Sequence, residues 1–277
     1  MKWFKIAKGF SISLLIASLM FTSSVFTAIL YAKIKYRPAD SHAVSGYDPA
    51  SGTDQAADKP EQNQTEGEET KVNPAAMLEA PLIQQYPELP RGCEITTLTM
   101  LLQFSGVEKG KMELVEELPW DHTPIQWGDQ GQITYWGHPN EGFVGDITLG
   151  SPGFGVYHKP IATLLSTYQS ETVDLTGKAF SEIEASISNG IPVMVWTTVN
   201  YKVPVNWMEW DSPQGKVKTT TKEHTVLVVG YDEEHVYVND PLKKQKQLKI
   251  NKQQFVSSWE AMGKQAVTYR EANRKGS

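Results

Sequence analysis

Residues 9–32 are an unbroken run of 24 residues without a charged side chain, and Lys2, Lys5 and Lys8 precede it. The run is longer than the apolar core of a secretory signal and meets the roughly 20 residues that a membrane-crossing helix needs. A stretch of this kind divides the chain, because it cannot be shared with a water-soluble core. Small-residue processing sites fit it badly: Ala32 has Leu30 two places before it, and Ala28 has Phe26. An uncleaved transmembrane anchor over residues 1–37 is therefore expected, with a removable signal peptide as the rival reading. Lys33, Lys35 and Arg37 balance the three lysines on the near side, so charge leaves the orientation open.

Beyond the anchor the composition changes to Ala, Ser, Gly, Asp, Gln, Glu and Pro, and residues 38–79 carry a net charge of −7. With no apolar period and runs such as Glu66-Gly67-Glu68-Glu69, residues 38–78 are expected to be a disordered acidic linker. About 40 such residues span on the order of 35 Å as a coil. Folding is then left to residues 79–277. That part is acidic as well, a net −5 over residues 80–277, which excludes a general nucleic-acid binder. A single cysteine, Cys93, excludes an intrachain disulfide framework and any zinc cluster built from several thiolates. No glycine-rich phosphate loop ending in Lys-Ser/Thr occurs, so no nucleotide is expected.

The domain reads as helix first and sheet second, an α+β layout. Pro87-Glu88-Leu89-Pro90-Arg91-Gly92 is extended and turn-rich. Ile95, Leu98 and Leu102 then fall at helical spacing before a stop at Ser105-Gly106. Residues 120–157 are rich in glycine, carry Trp120, Trp127 and Trp136, and read as long loops. Further helices are expected over 161–168 and 180–188, and strands over 191–199, 224–231 and 236–240.

Cys93 thus opens a helix, where backbone N–H groups and about half a positive charge favour a thiolate. Gly92 before it leaves the sulfur approachable. By itself a lone helical cysteine is more often a small buried hydrophobe. His224 opens one strand of a hairpin and Asp240 closes the other, on one face if their parity follows Val226, Val228, Val236 and Val238. A carboxylate so placed can hold one imidazole nitrogen while the other faces a thiolate. His122 and His138 have no metal-ligand spacing, so no metal is expected. His158 is read as fixing a loop, and Trp120, Trp127, Trp136, Trp207 and Trp210 as equally suited to a groove or to loop cores.

Several separated motifs then match one family in order: Ala80-Pro81-Leu82-Ile83-Gln84-Gln85, Pro87-Glu88-Leu89-Pro90-x-Gly92-Cys93-Glu94, Phe143-Val144-Gly145-Asp146, residues 153–160, His224 to Tyr231 and Asn239-Asp240-Pro241. Over residues 80–270 the chain resembles the free-standing bacterial peptidases of cysteine family 39, relatives of the domain that trims double-glycine leaders from bacteriocins. The resemblance implies a papain-like fold, with Cys93 as nucleophile, His224 as general base, Asp240 as orienting group and Gln85 as oxyanion donor. Gln84 is adjacent to Gln85 and competes for that last role.

The expected function is hydrolysis of peptide bonds by a cysteine endopeptidase, held at the cell membrane by a single span with its domain outside the cytoplasm, or secreted if the segment is cleaved. A peptide or protein is the expected substrate, with no cofactor and a monomeric chain. A catalytically idle peptide-binding module and a cell-wall peptide hydrolase are the alternatives. An intact set of Cys93, His224, Asp240 and glutamine speaks against the first of these.

Overall fold

The computed structural model describes residues 73–271. The anchor expected over residues 1–37 and the linker as far as residue 72 lie outside the described residues. Among the described residues no helix is long and apolar enough to cross a membrane.

The order of elements is β1 (Ala76–Met77), α1 (Cys93–Phe104), α2 (Lys111–Glu117), β2 (Trp120–Asp121), β3 (Gln126–Trp127), β4 (Ile133–Tyr135), β5 (Phe143–Gly145) and β6 (Gly153–Gly155). It continues with α3 (His158–Ser166), β7 (Thr172–Asp174), α4 (Phe180–Ser188), β8 (Val193–Thr198), β9 (Met208–Ser212), β10 (Gly215–Thr219) and β11 (Glu223–Tyr231). The last elements are β12 (His235–Asn239), β13 (Leu248–Asn251), α5 (Lys252–Ala261) and β14 (Ala266–Tyr269).

The main sheet runs β13-β12-β11-β8-β14-β7, with β1 added beside the end of β11, and its pairings are antiparallel. Its central strands alternate between two buried faces. Met194, Trp196, Leu227 and Val229 pack with Ile95, Leu98, Leu101 and Leu102 of α1. Val193, Val195, Val226 and Val228 pack instead with Ile183 and Ile187 of α4 and Phe255 and Trp259 of α5. A strand covered on both sides must be apolar throughout, which is why residues 224–231 carry no alternation for a sequence reading to catch. Helix α1 is likewise buried around its circumference, from Cys93 to Leu102, so it too lacks an amphipathic stripe. The expected α+β arrangement, with the cysteine helix packed on a carboxyl-terminal antiparallel sheet, is present in residues 73–271.

Two expectations need correction. Folding begins before residue 79: Ala76 and Met77 pair with Tyr231 and Gly230, and the Asn73 carbonyl accepts from the Tyr231 hydroxyl at 2.7 Å. The strand is too short to show a period. Residues 120–157, expected as long loops, carry the short strands β2 to β6. These form the small sheets β2-β5-β6 and, with the hairpin of β9 and β10, β10-β9-β4-β3. Trp136, Val144, Trp210 and Val217 make a separate apolar cluster there, so Trp136 and Trp210 are core residues. Trp127 and Trp207 remain exposed.

Candidate active site

Helix α1 starts at Cys93 because the preceding turn is closed by the Gly92 N–H donating to the Leu89 carbonyl at 2.9 Å. A Cβ on residue 92 would stand 2.6 Å from that of Leu89. Glycine is therefore demanded by the packing of Leu89, and open approach to the sulfur is a by-product. Cys93 N–H belongs to the first turn, where backbone donors have no intrahelical partner.

His224 and Asp240 meet through a defect in the β11–β12 ladder. Leu227 opposes Asn239 and Val228 opposes Val238, but Gly230 opposes Tyr237 and Tyr231 opposes Val236, leaving Val229 as an extra residue. Carried one step beyond Asn239, this register sets Asp240 across from Val226, on the same face as His224. Without the bulge the pairing at the turn would set Asp240 opposite Leu227, on the other face, since a one-residue slip reverses every side chain. The outcome is a His224 Nε2 to Asp240 Oδ1 contact of 2.8 Å in which both side chains are buried. Among the described residues, Nδ1 of His224 has no hydrogen-bond partner.

Asp240 is held on every side. Its Oδ1 also accepts from the Leu242 N–H at 2.8 Å, and Oδ2 accepts from the Tyr201 hydroxyl. Burial by itself would raise the carboxyl, but the hydrogen bond and charge of His224, then Tyr201 and Leu242, outweigh it and keep Asp240 below the usual carboxylate range. Burial and Asp240 together push the Tyr201 phenol well up, so it stays protonated and donates to the carboxylate. Tyr201 packs against Phe255 with ring centroids 6.1 Å apart. Nothing in the surrounding sequence marked Tyr201, since it sits between strands in a left-handed backbone conformation, φ 57°.

Gln85, Cys93 and His224 line one cavity of about 450 Å³, together with the apolar side chains of Trp136, Phe154 and Met208. Gln85 is buried, and one hydrogen of its amide is taken by the Pro90 carbonyl at 2.7 Å, which leaves the second. Gln84 points elsewhere, donating to the Lys243 carbonyl at 2.8 Å. The structure thus brings Gln85, Cys93, His224 and Asp240 together and leaves Gln84 out. His158 bonds Asp174 at 2.6 Å through Nδ1 at the start of α3, in keeping with the loop-fixing role expected of it.

The thiol itself departs from expectation. Its Sγ donates to Glu94 Oε2 at 3.2 Å, and Glu94 is buried with Oε1 accepting from the Val156 N–H at 2.8 Å. Sγ, Glu94 and Glu223 place one donor atom each within 4.8 Å of one another. Burial, the charges of Glu94 and Glu223 and the bond to Glu94 push the Cys93 thiol well up, against a smaller opposing contribution from the Thr225 backbone. The dipole of a helix start is a local effect, and here burial, the adjacent Glu94 and the distant Glu223 overrule it. Glu94 had one legible signal, the single charge in an otherwise uncharged helix. Glu223 had none.

Residues 77–267 match the Peptidase_C39 like family. The chain is 40% identical over 182 residues to the uncharacterized protein YvpB of Bacillus subtilis (strain 168), covering 65% of this chain and 70% of that one. A crystal structure of a candidate C39-like peptidase from Bacillus anthracis superposes with a TM-score of 0.65 at 39% identity, over 72% of this chain and 99% of the other.

Proposed function

The chain belongs to the Peptidase_C39 like family, and from that premise we propose that it is a cysteine endopeptidase working through Cys93, His224 and Asp240. The observation that carries the reading is the buried 2.8 Å bond between His224 Nε2 and Asp240, which leaves Nδ1 as the free nitrogen of a ring lining the same cavity as Cys93. Asp240 fixes the tautomer, so Nδ1 can accept the thiol proton. The thiolate then attacks the carbonyl carbon of a bound peptide. His224 returns the proton to the leaving amine, and water hydrolyses the thioester with the same residue as base.

The oxyanion formed in the attack needs donors set in place beforehand. Cys93 N–H and the spare amide hydrogen of Gln85 are the two we assign. Gln85→Ala is expected to lower kcat by about 10²- to 10³-fold, the range for one such donor, while Gln84→Ala leaves it near wild type. A loss in Gln84→Ala alone would reverse the assignment. The reading as a whole is tested by incubating the full-length chain with a peptide library and reading new termini by mass spectrometry. Termini that form equally with Cys93→Ala would defeat it.

The proposal extends to location. With residues 9–32 uncharged, the protein is expected to stay with membranes through a high-salt wash and to enter detergent. Protease added to intact cells should digest its domain. A soluble mature form lacking about the first 30 residues, on the order of a signal peptide's length, would refute the anchor. Survival of the domain under protease would put it on the other side. The acidic linker then gives the peptidase a reach of about 35 Å from the bilayer.

A further inference from the structure

Catalysis by His224 and Asp240 leaves two carboxyl groups beside the nucleophile without a task, the buried Glu94 and the half-buried Glu223. Glu94 lies in α1 next to Cys93, and Glu223 opens β11 next to His224, partly open to the cavity. The Thr225 hydroxyl approaches Glu223 Oε1 at 3.4 Å. Gly155 presses the backbone of β6 against both: a Cβ there would collide with Glu94 Oε1 and stand 3.5 Å from Glu223 Oε2. Cys93 from α1 and Tyr157 from the segment between β6 and α3 feel the charge of the pair, and His224 from β11 lines the same cavity as Glu223. Among the described residues neither carboxylate has a lysine or arginine partner.

Two carboxylates this close, one of them buried, strongly oppose each other's ionisation when no counter-charge is present, and one proton shared between them removes the conflict. We propose that Glu94 and Glu223 hold a single proton between them and, as positioning residues, keep the Cys93 thiol bonded to Glu94 Oε2, so that the pair governs how readily Sγ ionises. Burial pushes Glu94 up to about 7, and burial with the charge of Glu94 pushes Glu223 well up, both consistent with a retained proton. The Sγ bond fits too: it is made to Glu94, and among the described residues none joins Sγ to His224. In the resting state the thiol proton is therefore held by the carboxyl pair and has yet to reach the base. Calling the pair positioning residues rests on the peptidase reading. The shared proton itself does not.

The sign of the effect follows from charge. A carboxylate beside Sγ disfavours the thiolate, so replacing it with an amide of the same shape should make ionisation easier. The experiment measures alkylation of the full-length chain by iodoacetamide against pH for wild type, Glu94→Gln and Glu223→Gln. Glu94→Gln removes the carboxylate that accepts from Sγ and is expected to move the midpoint down by about 1 to 3 pH units, the size of a near charge in a buried site; Glu223→Gln leaves Glu94 ionised beside Sγ and is expected to move it less. A Glu94→Gln midpoint coinciding with wild type would overturn the proposal, because a merely structural pair leaves the profile in place. A wild-type midpoint that shifts on dialysis against a chelator would also overturn it, assigning the cluster to a cation. Infrared difference spectra of the wild type supply a readout that needs no variant. A protonated-carboxyl stretch should be present at neutral pH and fade as pH rises, and its absence would refute the shared proton. A lowered midpoint in a chain with no Cys93-dependent cleavage sinks the peptidase reading alone. Unchanged midpoints in an active peptidase sink the shared proton alone.

Discussion

Cys93→Ala is expected to reduce peptide hydrolysis by about 10⁴- to 10⁶-fold, on the scale seen when a catalytic nucleophile is removed. The fold should survive. Alanine is the best helix former, the lost atom is a single sulfur, and α1 remains fixed by Ile95, Leu98, Leu101 and Leu102 in the main core. The thiol's hydrogen bond to Glu94 disappears, but Glu94 keeps its Val156 N–H. Thermal unfolding and turnover measured on one preparation make the comparison. Residual Cys93-independent turnover within tenfold of wild type would show that another group is the nucleophile, and a large fall in melting temperature would mean that the activity loss reports unfolding.

His224→Ala is expected to lose nearly as much, because nucleophile and base act as one unit and removing either disables both. Asp240→Asn is expected to lose less, and the bonds around Asp240 say why. Leu242 N–H requires an acceptor where Oδ1 stands, so the asparagine carbonyl should take that place and still accept from His224 Nε2. Its amide then faces the Tyr201 hydroxyl, whose oxygen can accept. Tautomer and ring orientation are kept, and what goes is the negative charge that stabilises the imidazolium. Breaking a buried ion pair costs about 3 to 5 kcal/mol, or roughly 10²- to 10⁴-fold in rate at 1.36 kcal/mol per decade. Rates of wild type, His224→Ala and Asp240→Asn on one substrate decide it. An Asp240→Asn enzyme as fast as wild type would remove Asp240 from the mechanism, and one as slow as His224→Ala would mean that the tautomer was lost after all.

Of the functional set, the positions of Cys93, His224 and Asp240 were legible because each is tied to a local pattern: a turn followed by helical spacing, and two apolar runs separated by a turn. Family likeness across residues 80–270 bound them together, and the family match over residues 77–267 agrees with it. Helices α2 and α5 and strands β7, β9, β10, β13 and β14 have no counterpart among the sequence patterns. Their residues gain apolar partners only from elsewhere in the chain, and a window of sequence shows just their own mixed composition.

The sequence by itself determined that the nucleophile candidate begins a buried helix, and that a histidine and a carboxylate end neighbouring strands. Only the tertiary structure decided how these groups behave. The extra residue at Val229 turns Asp240 toward His224, a choice of register fixed by packing on both faces of the sheet. Lys243 draws Gln84 aside while Gln85 stays in the cavity. Glu223, 130 residues from Cys93 in the chain, comes to lie beside the thiol and with Glu94 reverses the ionisation that a helix terminus would favour. Spacing along a chain encodes period and therefore elements. Charge interactions in a dry site depend on which distant groups are brought within a few ångströms, and that is settled when the elements pack.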